Sequence, residues 1–167
     1  LLASSAASDV YKRQGILVWQ DLPSPNLPSG YEDYAKKNFE DESKRIITAF
    51  RNHPSIIQWV VFNEGWGQFD TERMTQIVIS EVGQSLVCCA SGWVEAPIGD
   101  IKDSHSYPNP SCPLDETRAG VCGEYGGITL KVQGHIWPGG DFQYTTVETG
   151  KDFTVLFNNL ADKVIDH

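Results

Sequence analysis

The sequence has no long apolar run and little positive charge. None of its apolar stretches approaches the roughly 20 residues that cross a bilayer, so no membrane partner is expected. Only 13 Lys and Arg stand against 22 Asp and Glu, which gives a net charge of −9. This excess of negative charge disfavours a surface that follows nucleic-acid phosphates. Neutral or cationic partners fit the composition better.

Patterns for metal, nucleotide and acyl-transfer sites are also missing. The four cysteines, Cys88, Cys89, Cys112 and Cys122, include no C-x-x-C pair. We expect them to be buried, reduced thiols rather than a metal cage or a disulfide framework. No G-x-G-x-x-G, G-x-x-x-x-G-K or G-x-S-x-G pattern occurs, which excludes the usual nucleotide loops and nucleophile elbow. No cofactor and no metal are expected.

Residues 1–14 differ in composition from the rest of the chain. They are rich in Ala and Ser, and the run SSAASDVYKRQ resembles a translated sequencing adapter. They lack the charged and apolar regions of a signal peptide. We therefore interpret residues 1–14 as a non-native leader that precedes one native domain over 15–167.

From Gly15 onward, short apolar runs alternate with stretches of helical period, which predicts an α/β fold. The run IIQWVVF, Ile56 to Phe62, is typical of a strand covered on both faces of a parallel sheet. The predicted strands lie at 16–19, 56–62, 86–90, 101–105 and 119–123. Helices are predicted over 31–52, from 70 or 71 to 82, and around 153–164, with one or two helical turns around 114–118.

Acidic and polar residues follow these predicted strands directly. Asp21 follows the first strand, Asn63 and Glu64 follow Phe62, and Glu124 follows the last strand. Because the carboxyl ends of parallel strands meet at one edge, we expect these side chains to converge there. A carboxylate in such a place is costly unless it is paired or used. Two converging carboxylates suit glycoside hydrolysis, where one protonates the leaving oxygen and the other attacks or stabilises the anomeric carbon.

Tryptophan adds to this picture. Trp19, Trp66, Trp93 and Trp137 lie at or just past predicted strand ends, where a flat apolar ring can stack on a sugar face. Trp59 lies inside a strand and is expected in the core.

Several motifs resemble glycoside hydrolase family 2, the family of β-galactosidases, β-glucuronidases and β-mannosidases. The stretch FRNHPSIIQWVVFNE, Phe50 to Glu64, is similar to the acid/base signature of that family. It departs from the family pattern at Gln58, where an apolar residue is preferred. GILVWQDLP, CASGW, DSHSYP and GEYGG resemble the third, fifth, sixth and seventh strands of the family fold. The resemblance runs from Gly15 to about Trp137.

The resemblance implies an incomplete (β/α)8 TIM barrel that holds approximately strands 3 to 7 and their helices. Residues 15–167 would be a partial catalytic domain of a longer retaining β-glycosidase, inactive by itself. Glu64 would be the acid/base and Glu124 the nucleophile. Asn63 would hold the 2-hydroxyl of the substrate, and Tyr107 would hydrogen-bond the nucleophile.

More than one role is open for the remaining candidate site residues. His105 could contact sugar hydroxyls, line the pocket or, with Asp103, suggest a metal, although no second His stands at ligand spacing. Asp21 could bind substrate or cap the following loop. Trp66, Trp93 and Trp137 complete the expected carbohydrate-binding set. The implied substrates are β-galactosides, with β-glucuronides or β-mannosides as alternatives. The competing class is a carbohydrate-binding protein without turnover, and the presence of both carboxylates disfavours it.

Overall fold

The computed structural model of the chain describes residues 11, 13–25, 30, 32–136 and 144–165. Its elements in chain order are β1 Val18–Asp21, α1 Glu32–Phe50, β2 Ile56–Asn63, α2 Thr71–Val82, β3 Leu86–Ser91, β4 Ile101–Ser106, β5 Ala119–Tyr125, β6 Ile128–Leu130, β7 Thr145–Val147 and α3 Gly150–Ile165. Strands β1 to β5 form one parallel sheet in sequential order. Strands β6 and β7 form a separate parallel pair. The described fold is therefore of the α/β type.

The expectation of an incomplete (β/α)8 TIM barrel is wrong. The five-stranded sheet is open, with β1 and β5 at its edges. The elements given above for the described residues include three helices, too few for a helix after each strand. Neither the connection 92–100 nor the connection 107–118 contains a helix. The first of these is shorter than the dozen or so residues that a helical crossover needs. The alternation of strand and helix therefore ends at β3.

A polar turn occupies the place of the helical turns predicted around 114–118. Asp115 Oδ1 accepts hydrogen bonds from the amides of Thr117 and Arg118, at 3.0 and 3.1 Å. The Arg118 guanidinium also donates to Asp115 Oδ2 at 2.9 Å. This arrangement is a turn in which an aspartate side chain accepts hydrogen bonds from the backbone amides that follow it, so these amides have partners without forming a helix.

The first strand begins later than predicted. It spans Val18–Asp21 rather than 16–19, because Ile16 and Leu17 are exposed and only the following residues pair with β2. The helix predicted over 31–52 is confirmed as α1, which ends four residues before Pro54. Proline disfavours helical conformation in the residue before it, so it separates α1 from β2.

Helices α1 and α2 pack over one face of the sheet. Their apolar residues repeat at helical spacing and so form one stripe on each helix. These stripes meet the strands in a buried cluster that includes Phe39, Ile47, Phe50, Met74, Val78, Val82, Trp59, Val61 and Val87. Trp59 is fully buried, as predicted. This cluster is the principal core.

The opposite face of the sheet carries a second, smaller cluster, formed by Val60, Cys88 and Ile101 with Val121 packed against it. Alternate residues of a strand share a face, so Asp103 and His105 follow Ile101 along the same face of β4. Both polar side chains are buried. The apolar cluster therefore leads directly to buried polar groups at the carboxyl end of the sheet.

All four cysteines are free, which confirms the prediction of reduced thiols. Burial holds for Cys88 and Cys89 but not for Cys112, which is exposed, or Cys122, which is half-buried. Desolvation raises the pKa of the Cys88 thiol above its ordinary value. The buried thiols are therefore protonated, apolar parts of the core.

Helix α3 packs against the small sheet of β6 and β7. Its only buried residue is Leu160, which contributes to a cavity with Phe153 and Phe157. Within the ranges that the structure describes, no helix has the length and apolar character needed to cross a membrane.

Gln58 gives a stability prediction. It is buried in β2, and its carboxamide Nε2 has no hydrogen-bond partner in the described part of the chain. A buried donor without a partner costs about 1–3 kcal/mol. We expect Gln58→Leu to raise the free energy of unfolding by about 1 kcal/mol, measured by denaturant titration. Gln76→Leu on the exposed side of α2 is the control, expected to stay within about 0.5 kcal/mol. Destabilisation by Gln58→Leu would contradict this account.

Candidate active site

The carboxyl ends of four strands converge on one group of polar side chains. Asp21 ends β1, Glu64 follows β2, His105 lies near the end of β4 and Glu124 near the end of β5. His105 and Glu124 are register partners in the β4–β5 ladder. The Glu64 amide donates to the Ser91 carbonyl at 2.8 Å, which continues the β2–β3 pairing up to the site.

His105 lies at the centre of this group. Its side chain is 1% exposed, and its Nδ1 lies 2.8 Å from Glu64 Oε1 and 3.7 Å from Glu124 Oε2. On the other side of the ring, Nε2 lies 3.2 Å from Asp103 Oδ2, at ion-pair distance. One buried imidazole therefore touches or approaches three carboxyl groups.

Asp103 lies behind this imidazole. Its Oδ1 accepts hydrogen bonds from the amides of Gly123, at 2.6 Å, and Ser104, at 2.8 Å. Burial raises the pKa of the Asp103 carboxyl, while these amides and His105 oppose the rise. A carboxylate behind Nε2 favours a proton on that nitrogen. Nδ1 is then the nitrogen that faces Glu64.

Tyr107 holds Glu124 from the other side. The Tyr107 hydroxyl donates to Glu124 Oε2. Burial and the Glu124 carboxylate raise the pKa of Tyr107 above its ordinary value, so the phenol keeps its proton and remains a donor. This contact is the one that the family resemblance implies for Tyr107.

Glu64 has an unusual backbone. Its φ is 52°, in the left-handed region that favours glycine. Such a conformation costs a non-glycine residue about 1–3 kcal/mol and is concentrated at functional sites. The Trp66 indole Nε1 donates to Glu64 Oε2 at 3.3 Å, so both oxygens of this carboxyl group have neighbours.

The close approach of Glu64 to His105 requires a glycine at residue 92. A Cβ atom at Gly92 would lie 2.8 Å from His105 Nδ1 and 3.2 Å from Glu64 Cγ. The next residue, Trp93, donates from its indole Nε1 to the His105 carbonyl at 3.3 Å. The Gly92–Trp93 pair therefore encloses His105 from the β3 side.

An open cavity of about 490 Å³ lies in front of this group and is lined by Trp19, Asp21, Ser91, His105, Gly123 and Glu124. Asp21 faces solvent at this cavity. Partial desolvation, followed by repulsion from Glu124 and Asp103, raises its pKa to about 6, against the lowering effect of a hydrogen bond from Trp19. Asp21 is therefore a fourth carboxyl group of the site, after Glu64, Glu124 and Asp103.

Two of the predicted tryptophans and Asn63 lie beside the carboxyl groups of the site. Trp66 and Trp93, whose indole nitrogens donate to Glu64 and to the His105 carbonyl, are 62% and 54% exposed, and Trp19 is 37% exposed in the cavity wall. Asn63 Oδ1 accepts a hydrogen bond from the Ser91 hydroxyl at 2.8 Å, and Ser91 lines the cavity. Trp137 lies outside the described residues.

Sequence reasoning did not assign three contributors to this site: Asp103 as the partner of His105, Ser91, and Tyr144, described below. The spacing of Asp103 and His105 by two residues on one strand was a usable signal, because such residues share a face. Tyr144 gave no signal, since it lies in a segment without a periodic pattern.

Glu64, His105 and Glu124 could also hold a divalent cation. Each offers one ligand atom, and these atoms lie within 4.8 Å of one another. Imidazole with two carboxylates is a donor set that suits zinc or manganese. The same three side chains form the centre of the site described here.

No protein-family model matches this chain, and no curated protein matches it. The resemblance to glycoside hydrolase family 2 thus stays a prediction from the motifs.

The backbone of Glu64 yields a stability prediction. Glu64→Gly and Glu64→Ala both remove the side chain, but only glycine relieves the left-handed strain. We expect the glycine variant to be more stable than the alanine variant by about 1 kcal/mol in denaturant unfolding. The same pair at Gln76, inside α2, should show the reverse order, because glycine weakens a helix by about 1 kcal/mol. An alanine variant as stable as the glycine variant at residue 64 would rule out strain there.

Asp21 yields a pH prediction. Its pKa of about 6 lies above the unfolded value of 3.8, so the folded state binds this proton more tightly and gains stability as pH falls from 7 to 4. Asp21→Asn removes that dependence. We expect the variant to be more stable than the wild type at pH 8, with the difference vanishing near pH 4, measured by denaturant midpoints. Asp162→Asn on α3 controls for the loss of a carboxylate, and a constant difference at both pH values for Asp21→Asn would refute the shift.

Proposed function

We propose that this chain carries the catalytic centre of a retaining β-glycosidase related to glycoside hydrolase family 2. The observation that carries the proposal is the separation of the two carboxyl groups: an oxygen of Glu64 lies within 4.8 Å of an oxygen of Glu124. Retaining enzymes hold these groups about 5–5.5 Å apart, whereas inverting enzymes hold them about 6.5–9.5 Å apart. A close approach of the nearest oxygens is what the shorter, retaining separation requires, and it favours direct attack by a carboxylate.

In this proposal Glu124 is the nucleophile. Its carboxylate attacks the anomeric carbon, the glycosidic C–O bond breaks, and a glycosyl ester forms on Glu124. The hydrogen bond from Tyr107 orients the carboxylate. Because Tyr107 stays protonated, it can donate a hydrogen bond to the attacking carboxylate of Glu124. A protonated phenol is also a poor nucleophile, so Tyr107 does not attack the sugar in place of Glu124.

Glu64 is the acid/base. It gives a proton to the leaving oxygen in the first step and takes a proton from the attacking water in the second. Nδ1 of His105 and Oε1 of Glu64, 2.8 Å apart, can share that proton before the first step and after the second. When the imidazole holds the proton, the carboxylate of Asp103 behind His105 balances the positive charge of the ring. His105 is therefore assigned as a partner of Glu64 rather than as a metal ligand.

The charge of the cavity favours neutral substrates. Asp21 and Glu124 both face it, and His105 is the one basic side chain among the described residues that line it. A uronate would bring a further negative charge against Asp21, a contact that opposes binding. We therefore favour β-galactosides and other neutral β-glycosides over β-glucuronides.

The other function class is carbohydrate binding without turnover. The exposed rings of Trp66 and Trp93 would serve a binding site equally well. The arrangement of Tyr107 on one carboxylate and His105 on the other has no purpose in simple binding, and it supports catalysis.

The test uses the complete gene product and nitrophenyl β-glycosides. We expect hydrolysis of the galactoside or mannoside, slower hydrolysis of the glucuronide, and no turnover by Glu124→Gln. Glu64→Ala should lower kcat about 10²–10⁴-fold on nitrophenyl glycosides. The decrease should be smaller on a dinitrophenyl glycoside, whose leaving group needs no proton. Glu72→Gln on α2, remote from the site, is the control. Unchanged turnover in Glu124→Gln would overturn the proposal, and sugar binding without hydrolysis by the wild type would favour the binding alternative.

A further inference from the structure

Tyr144 lies against the residue that holds the nucleophile. It directly precedes β7, and its ring stacks face to face on Tyr107, with centroids 3.9 Å apart and planes inclined by 4°. Tyr144 is 41% exposed, so one side of the ring covers Tyr107 while the rest borders solvent. Aromatic rings in contact attract each other beyond the burial of their area, which favours the side-chain orientation that keeps them in contact.

The backbone around β6 and β7 fixes the position of this ring. The Thr145 amide donates to the Gly127 carbonyl at 3.3 Å, and β6 and β7 then pair from Ile128 and Thr145 onward. A Cβ atom at Gly127 would lie 2.5 Å from Tyr144 Cδ2. Gly127 therefore leaves the space that the Tyr144 ring occupies.

The Tyr144 side chain also faces the site. Partial desolvation and the charges of Glu64 and Glu124 raise its pKa above the ordinary tyrosine value. Tyr107 donates its hydroxyl to Glu124 while its ring lies under Tyr144. The small sheet of β6 and β7 is thus connected to the carboxylate of Glu124 through two aromatic rings.

We propose that Tyr144 is a positioning residue whose ring holds the Tyr107 side chain in place, so that the phenol stays on Glu124. The catalytic consequence rests on the function proposed above. The structural part, a Tyr107 phenol held on Glu124 by the Tyr144 ring, does not depend on turnover.

The first experiment separates the ring from the hydroxyl. Tyr144→Phe keeps the stacked ring, and Tyr144→Ala removes it. We expect Tyr144→Ala to lower kcat about 10–100-fold with KM changed less than about threefold, because the nucleophile is misplaced by a fraction of an ångström while the cavity stays. Tyr144→Phe should restore kcat to within about threefold of the wild type. Tyr34→Ala, which removes an exposed tyrosine from α1, is the control for general effects.

The second experiment does not need activity. In protein labelled at tyrosine, Tyr107→Phe identifies the hydroxyl proton signal of Tyr107, which the hydrogen bond to Glu124 protects from exchange with water. We expect this signal to be lost in Tyr144→Ala and kept in Tyr144→Phe, because only the alanine variant loses the stacked ring. If the wild type hydrolyses no glycoside but this loss is seen, the proposed function fails while the positioning role stands.

A pair of glycine variants tests the same contact without changing Tyr144. Gly126 and Gly127 both have positive φ, at 90° and 66°, so alanine strains the backbone at either residue. Only at Gly127 would the new Cβ meet the Tyr144 ring, since nothing lies within 4 Å at Gly126. The hydroxyl proton signal of Tyr107 should be lost in Gly127→Ala and kept in Gly126→Ala. Equal effects of the two glycine variants, or a Tyr107 hydroxyl signal unchanged in Tyr144→Ala, would overturn the proposal.

Discussion

The site depends on one buried imidazole held among three carboxyl groups. His105 reaches that position because β4 places Ile101, Asp103 and His105 on one face, with the apolar residue in the second core cluster and the polar residues beyond it. Asp103 then connects the imidazole to the amide of Gly123, directly before Glu124. The parallel register of β4 and β5 and the contacts between His105 and the carboxyl groups thus place His105 in the same position, beside Glu124.

This geometry is held at a cost in stability. Glu64 has a left-handed backbone, Asp103 is buried, and Asp21 carries a raised pKa beside Glu124. Each feature disfavours the folded state by itself, and the helix-side core around Trp59 offsets them. Such local departures from good folding rules are expected where a protein positions reactive groups.

The elements that the sequence predicted correctly are those with strong periodic signals. The run ending at Phe62 is short and rich in β-branched and aromatic residues, which indicates a buried strand, and α1 and α2 follow from their apolar stripes. The barrel expectation failed because motif resemblance identifies strands but does not specify the connections 92–100 and 107–118. Strands β6 and β7 have three residues each, too few for a period to show.

The site was partly predictable for a similar reason. Glu64 and Glu124 follow apolar strands, and parallel pairing alone brings such residues to one edge. Tyr144 and Ser91 act through contacts made in three dimensions, with no spacing in sequence that relates them to the carboxylates.

In the proposed function, Glu124 attacks the sugar with its own carboxylate. A 2-deoxy-2-fluoro β-glycoside with a good leaving group slows the second step, so the ester accumulates and can be located by mass spectrometry of intact protein and peptides. The account predicts one added sugar, attached to Glu124. An adduct on another residue, or hydrolysis of the unmodified substrate with inversion at the anomeric carbon, would contradict it.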